Sequence, residues 1–317
     1  MQQRNYAVVI VTYNRLELLK ECVSQALNQT YPFKNIYIVN NHSTDGTDMY
    51  LKEVDAENNY VHVFNLDDNI GGAGGFSFGM DQVTEENDYV LLIDDDAIIS
   101  ANYIEDINKR LENGILAYSG TVFSNGKIDT MHRRRVKSDI FLTEDCVPVE
   151  EYEKDSFTYD SSSFCGLLVS VKLAKQIGLP RKDFFIWHDD TEYSMRIRKH
   201  TLIKNVNAST INHKVQGNGF TGFSWKTYYG FRNHMVTGKE YSSCPVLFLL
   251  RRYIFHVTGA LYHRMKSYIS KDMKIYHVNC AKIHISAVKD LRRGVMGISS
   301  TFKPGLNLKE RIIEEKY

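Results

Sequence analysis

Short apolar runs alternate with stretches of helical spacing along the N-terminal third of the chain. "YAVVIV" from Tyr6 reads as a strand and "LELLKECVSQALNQ" as an amphipathic helix. "NIYIVN" is a strand, and "TDGTDMYLKEV" is a helix opened by Ser/Thr/Asp cap chemistry. "YVHVFN", "GGFSFGMDQVTEE" and "YVLLID" continue as strand, helix and strand. This alternation predicts an α/β fold with a mostly parallel, Rossmann-like sheet and helices on both faces. Ligands of such sheets sit outside the carboxyl ends of the strands. The four strands run into Thr12-Tyr13-Asn14-Arg15, Asn40-Asn41-His42-Ser43, Asn65 with "DDNIGGAGG", and Asp94-Asp95-Asp96. All four clusters are expected on one edge of the sheet, building one site.

The middle of the chain, roughly 115–215, is less regular. It holds "FCGLLVS", a predicted strand, the basic "MHRRRVKSD", and "FFIWHDDTEYSMRIRKH". The last places Asp189, Asp190 and Glu192 at the start of a predicted helix. Beyond "YYGFRNHMV" the character changes. Residues 251–303 carry eleven Lys and Arg residues against only Asp272 and Asp290, interleaved with apolar and aromatic positions. That stretch is expected to be helical, basic and amphipathic. It would lie on an anionic membrane surface, or pack as a hairpin on the main domain or on a second subunit in a homodimer. The expected division is 1–240 for the α/β domain and 241–317 for the C-terminal helical region.

Composition narrows the classes. The 317 residues are 43% hydrophobic and 24% charged, with a formal net charge of +1, which argues against a nucleic-acid binder. "MQQRNYAVVIVTYN" reads as a first core strand with no secretory signal, and no apolar run reaches the ~18 residues of a membrane span. Cys22, Cys146, Cys165, Cys244 and Cys280 are odd in number, scattered and without a CxxC pair. This predicts a reducing, cytoplasmic setting with neither a disulfide framework nor a zinc knuckle.

Three aspartates at the end of a core strand repel one another unless a positive charge offsets them. In an extended chain Asp94 and Asp96 share a side, a placement suited to Mg²⁺ or Mn²⁺; the alternative is a solvated turn. "NIGGAGGF" puts four glycines in five residues and offers N–H groups to a phosphate or sugar, or merely a tight turn. "HDD" with Glu192 offers a general base, or an acidic helix start favoured by the dipole. His213 is a candidate imidazole ligand, although lone histidines are more often structural. Arg133-Arg134-Arg135 would meet a pyrophosphate or simply be a solvated loop.

"VVIVTYNR", "IVNNHSTDGT", "IDDDA" and "WHDDTEYSMRI", in this order, resemble a family 2 glycosyltransferase of GT-A fold over roughly residues 6–235. "NIGGAGGFSFGM" and "FFIWHDDTEY…NHK" are most similar to the galactofuranosyltransferases, and related rhamnosyltransferases share much of the pattern, including "YYGFRN". The resemblance implies that Thr12, Tyr13, Asn14, Arg15, Asn40 and Asp45 line the nucleotide pocket. Asn69, Gly71 and Gly72 would border the donor, and Asp95 belongs to the donor site. Asp94, Asp96 and His213 would hold the metal. Asp190 would be the catalytic base, with Asp189 and Glu192 shaping the site. Phe164, Gly166, Trp187 and His188 would fall on the acceptor side.

The implied reaction is an inverting, metal-dependent transfer from a nucleotide sugar to a glycan or lipid-linked glycan, at the inner face of a membrane. UDP-galactofuranose is the first expectation and dTDP-rhamnose the alternative. Two departures bear on it. Asn40 replaces the usual aspartate at the nucleobase, and Leu167-Leu168 replace the paired tryptophans of the galactofuranosyltransferase pattern. A nucleotidyltransferase would carry a glycine-rich loop after the first strand, and "VTYNRLE" has no glycine. An inactive carbohydrate-binding scaffold is opposed by the joint presence of Asp94, Asp96, Asp190 and His213.

Overall fold

A computed structural model describes residues 4–214 and 222–310. The chain forms two compact units: residues 1–136, 144–182 and 190–216 in the first, and 137–143, 183–189 and 217–317 in the second. By packing, residues 222–240 therefore group with the C-terminal helices.

In the first unit β1 (Tyr6–Thr12), β2 (Asn35–Asn40), β3 (Val61–Asn65) and β4 (Tyr89–Asp94) run parallel in the order β3-β2-β1-β4. Helices α1 (Leu16–Leu27), α2 (Thr47–Glu57) and α3 (Gly71–Asp81) alternate with them. β1 and β2 are buried along their whole length, as near-continuous apolar strands covered on both faces must be. Beyond β4 come β5 (Ala97–Ile99), α4 (Tyr103–Asn108), β6 (Ala117–Ser124), β7 (Lys127–Ile128), β8 (Arg133–Ser138), β9 (Thr143–Cys146), β10 (Ser156–Tyr159), β11 (Ser161–Ser162), β12 (Leu167–Ser170), α5 (Val171–Ile177), α6 (Asp189–Arg198) and β13 (Ile203–His213). They extend the sheet through antiparallel β12 to β6, β13 and β10, and add a small sheet of β11, β8 and β9. One apolar core lies under α1, α2 and α4, and the other under α3, α5 and α6. Leu167 and Leu168 are fully buried, paired with Leu92 and Leu91 of β4.

The register explains the common edge. Val11 pairs with Asp94, Thr12 with Asn40, and Asn40 with Asn65, so the four strand ends stand in line. β5 then turns back and pairs antiparallel with the end of β13, His213 opposite Ala97. That pairing brings a residue more than a hundred positions downstream to the neighbour of Asp96.

The second unit contains α7 (Trp225–Tyr241), α8 (Pro245–Ile269) and α9 (Lys274–Arg293) around a core that includes Phe185, Tyr228, Tyr229, Ile283 and Phe302. No helix among the described residues is long and apolar enough to cross a membrane.

Candidate active site

β4 ends at Asp94, and Asp95 and Asp96 form a turn into β5. The alternation expected of an extended chain therefore does not run through the three aspartates; each has its own surroundings. Asp95 is buried, with Oδ2 accepting from Thr12 Oγ1 at 2.7 Å and from the Tyr13 N–H at 3.4 Å. Its Oδ1 accepts from Arg15 Nη1 at 3.1 Å, and the same nitrogen lies 2.5 Å from Asp96 Oδ2. His213 Nε2 stands 3.5 Å from Asp96 Oδ1.

The charges respond accordingly. Burial, then Asp96 and Asp95, push Asp94 up to about 7, and burial pushes Asp95 up to about 6. Burial acts the same way on Asp96, but the bonds from His213 and Arg15 outweigh it and hold the carboxyl below its ordinary value. For His213, burial is outweighed by Asp96 and Asp94, and its pKa rises. Its Nδ1 is buried without a hydrogen-bond partner among the described residues. Two carboxylates with an imidazole nitrogen beside one of them suit a divalent cation, and the nitrogen donor favours Mn²⁺ over Mg²⁺. Asp94, Asp96 and His213 are the residues that would hold it.

The loops around them are tied together. Asn14, in the left-handed region at φ 53°, accepts from the Thr44 N–H at 2.7 Å, while its own N–H reaches Ser43 Oγ at 2.9 Å. Asp45 accepts from the Leu16 N–H at 2.9 Å, capping α1 from the neighbouring loop, and from Thr47. Asn40 is buried; it donates to Asn65 Oδ1 at 2.8 Å and accepts from the Ser43 N–H. Tyr13 is exposed at the rim.

The glycine run divides by function. α3 begins at Gly71, so the run forms the first turns of the helix; it is not a loop ahead of it. Gly71 has φ 78°, and its N–H is capped by Asn69 Oδ1 at 2.8 Å. Asn41 accepts from the Ile70 N–H and donates to the Gly71 carbonyl, both at 2.9 Å. A Cβ at Gly75 would lie 2.6 Å from Val11 Cγ1, and one at Gly79 2.4 Å from Val9 Cγ1, so these glycines let α3 approach β1. A Cβ at Gly72 meets nothing within 4 Å.

The arginine run is neither a phosphate clamp nor a solvated loop. Arg133 is fully buried and donates to the carbonyls of Gly120 and Cys165 at 2.8 and 3.0 Å. Arg134 pairs with Glu144 at 3.0 Å, and Arg135 donates to the Thr158 carbonyl. An arginine triplet in sequence gives no sign that the first member is a structural strut.

Asp190 stands in the first turn of α6, its Oδ1 accepting from the Thr191 N–H. The helix is fixed by Arg134 on Thr191, Ser162 on Ser194 and Arg198 on Asp160. Glu192 is buried and ion-paired with Arg196 at 2.8 Å. Phe164 is buried between Phe76 and Tyr193, and Gly166, at φ 86°, leaves no room for a Cβ, which would fall 2.1 Å from Ile211 Cδ1. Both are packing residues.

Trp187, His188 and Asp189 belong to the second unit, and Asp190 to the first. Phe185, Trp187 and His188 all have positive φ, a strained run held by α7. Asn233 Nδ2 lies 2.9–3.0 Å from the carbonyls of Phe184, Ile186 and Trp187. Arg232, fully buried, reaches the Phe184 and Gly297 carbonyls. Trp187 packs on Gly230, and His188 stacks on His234 at 5.1 Å. The "YYGFRN" element is thus the clamp of the "FFIWHD" loop.

Residues 7–168 match the sequence pattern of Glycosyl transferase family 2. The chain belongs to this family. It is a glycosyltransferase. Among its relatives is the dTDP-rhamnosyl transferase RfbF of Shigella flexneri, 26% identical over 310 residues, 92% of this chain and 97% of RfbF. Another is the putative teichuronic acid biosynthesis glycosyltransferase TuaG of Bacillus subtilis, 21% identical over 69% of this chain and 82% of TuaG. Similar solved structures include S. aureus TarS in complex with UDP, with a TM-score of 0.55, 13% identity and 92% of each chain covered. The mannosyltransferase PcManGT of Pyrobaculum calidifontis, in complex with GDP-Man and Mn²⁺, gives a TM-score of 0.56 at 15% identity, covering 92% of this chain and 80% of that one. At these identities the likeness is one of fold, and the fold of this family 2 member is GT-A.

Proposed function

We propose that this glycosyltransferase transfers rhamnose from dTDP-rhamnose, with inversion, to a hydroxyl of a glycan or lipid-linked glycan. The observation that carries the site is the β5–β13 pairing, which sets His213 against Asp96. The donor reading rests on the similarity to a dTDP-rhamnosyl transferase along nearly the whole chain. UDP-galactofuranose is the second reading, supported by the likeness of "NIGGAGGFSFGM" and "WHDD" to galactofuranosyltransferases.

In this reading Asp94, Asp96 and His213 would hold a Mn²⁺, which would supply positive charge at the leaving diphosphate. Arg15, paired with Asp95 and Asp96, reaches toward the same charge. Thr12 and the Tyr13 N–H hold Asp95 in place, and Asn40 faces the base. Asp190 takes the proton of the acceptor hydroxyl as its oxygen bonds to the anomeric carbon and the bond to the diphosphate breaks. A single displacement inverts the configuration.

α8 supports a membrane setting for the acceptor. Val246, Leu250, Ile254, Val257, Leu261, Met265 and Tyr268 recur every three or four residues and are exposed, Val246 by 79% and Tyr268 by 72%. The helix carries Arg251, Arg252, Arg264 and Lys266 and no acid. An apolar stripe with only cationic flanks fits anionic lipid, whereas two copies of it would repel. Offering dTDP-rhamnose, UDP-galactofuranose, UDP-galactopyranose and UDP-glucose side by side, with Mn²⁺, tests the donor. Turnover of dTDP-rhamnose alone supports the reading; turnover of another donor instead would overturn it.

A further inference from the structure

His213 has a second neighbourhood. Its ring stands edge to face against His132, with centroids 4.9 Å apart at 89°. One donor atom from each of His132, Cys165 and His213 lies within 4.8 Å of the other two. All three belong to the first unit, and Cys165 is buried as a free thiol. His213 turns Nε2 to Asp96 and leaves Nδ1 buried and unsatisfied. His132 lies with Nδ1 2.7 Å from Ser163 Oγ and Nε2 3.5 Å from Asp129 Oδ2. Each imidazole therefore faces a carboxylate, the outer partner that fixes the tautomer and orientation of metal-bound histidines. Arg133 donates to the Cys165 carbonyl, so a guanidinium stands next to this residue.

We propose that His132, Cys165 and His213 form a second metal site, selective for a thiophilic divalent cation such as Zn²⁺, which shares His213 with the Asp94–Asp96 site. Zinc–nitrogen and zinc–sulfur bonds of about 2.0–2.3 Å put tetrahedral donors roughly 3.5 Å apart, so the three side chains draw inward by about 1 Å. Binding replaces the Cys165 S–H bond with an S–Zn bond and releases the proton to solvent. Because His213 cannot serve both ions through the same orientation, zinc withdraws it from the Mn²⁺ site and inhibits transfer. The sharing of His213 rests on the proposed donor site; the zinc site itself does not.

Co²⁺ is the probe, since a thiolate ligand gives it a near-ultraviolet charge-transfer band. The full chain with one equivalent of Co²⁺ should show that band together with tetrahedral d–d absorption, and Zn²⁺ should abolish both. The band should disappear in Cys165→Ser and in His132→Gln and persist in Asp94→Asn, with circular dichroism confirming the fold of each variant. Absence of the band in the wild type, or its persistence in Cys165→Ser, would overturn the proposal. Zinc-edge X-ray absorption of the wild-type protein needs no variant. A shell with one sulfur and imidazole nitrogens supports the site, and an all-oxygen shell refutes it. Neither readout involves sugar transfer, so their failure leaves the transferase reading standing.

Discussion

Arg15 Nη1 lies 2.5 Å from Asp96 Oδ2 and 3.1 Å from Asp95 Oδ1, so a guanidinium from the first loop offsets the carboxylates at the end of the fourth core strand. Arg15 competes with a cation for Asp96, and it can also meet a diphosphate. Replacing it should therefore act in opposite directions on two ligands. In Arg15→Gln, Mn²⁺ alone should bind more tightly, while the nucleotide sugar in the presence of Mn²⁺ should bind about tenfold more weakly, a loss of ~1.4 kcal/mol. Titration calorimetry of each ligand separates the two; weakening of both would make Arg15 merely structural.

The glycines of α3 should respond differently to the same substitution. Gly79→Ala drives a methyl to 2.4 Å from Val9 Cγ1 and should cost about 1–3 kcal/mol of stability. Gly72→Ala meets open space and should unfold at nearly the wild-type denaturant concentration, yet bind donor less well if this turn borders it. Unchanged donor affinity in Gly72→Ala would remove that residue from the site.

Asn233 anchors three consecutive-loop carbonyls from inside the second unit's core. Asn233→Ala removes this donor from the Ile186 and Trp187 carbonyls, a cost of about 1–3 kcal/mol, and frees the strained Phe185–His188 backbone. Chemical denaturation should show the loss, and kcat should fall more than donor affinity. A variant with unchanged stability would contradict the clamp.

The seam of α8 and α9 is sensitive to acid. His256 Nδ1 lies 3.0 Å from His284 Nδ1, and burial with the nearby Arg252 pushes His256 down to about 3. Burial, His263 and Arg252 push His284 down to about 4. Both are neutral in the fold and take protons on unfolding below the ordinary histidine pKa of about 6.5. Between about pH 6.5 and 4 the unfolded chain binds more protons, so stability rises with pH there and is lost as pH falls. Relative to His256→Gln, the wild-type melting temperature should fall by several degrees more between pH 7 and pH 5. His256→Gln should flatten the profile; an unchanged slope would contradict the pairing.

Much of the fold was legible because parallel strands buried on both faces leave continuous apolar runs, and the register then forces their polar ends into line. The chemistry that depends on long-range pairing was not. Nothing near "DDD" announces Arg15 as its counter-charge. Asp94 and Asp96 read as a same-side pair only while the chain was taken as extended, and the turn into β5 removed that. Cys165 shows no metal spacing because the histidines near it, His213 and His132, lie on β13 and just before β8. Asn41, Asn233 and Arg133 looked like ordinary polar residues, since what distinguishes them is burial against backbone carbonyls, which no local pattern encodes.

The most direct measurement is calorimetric titration of dTDP-rhamnose into the wild type and Asp96→Asn, each with Mn²⁺ and with EDTA. Binding that requires Mn²⁺, and that falls at least about a hundredfold, or ~2.7 kcal/mol, in Asp96→Asn, is the predicted result. Equal binding with EDTA, or binding unaffected by loss of the Asp96 charge, would contradict the assignment of these carboxylates to a metal-held donor.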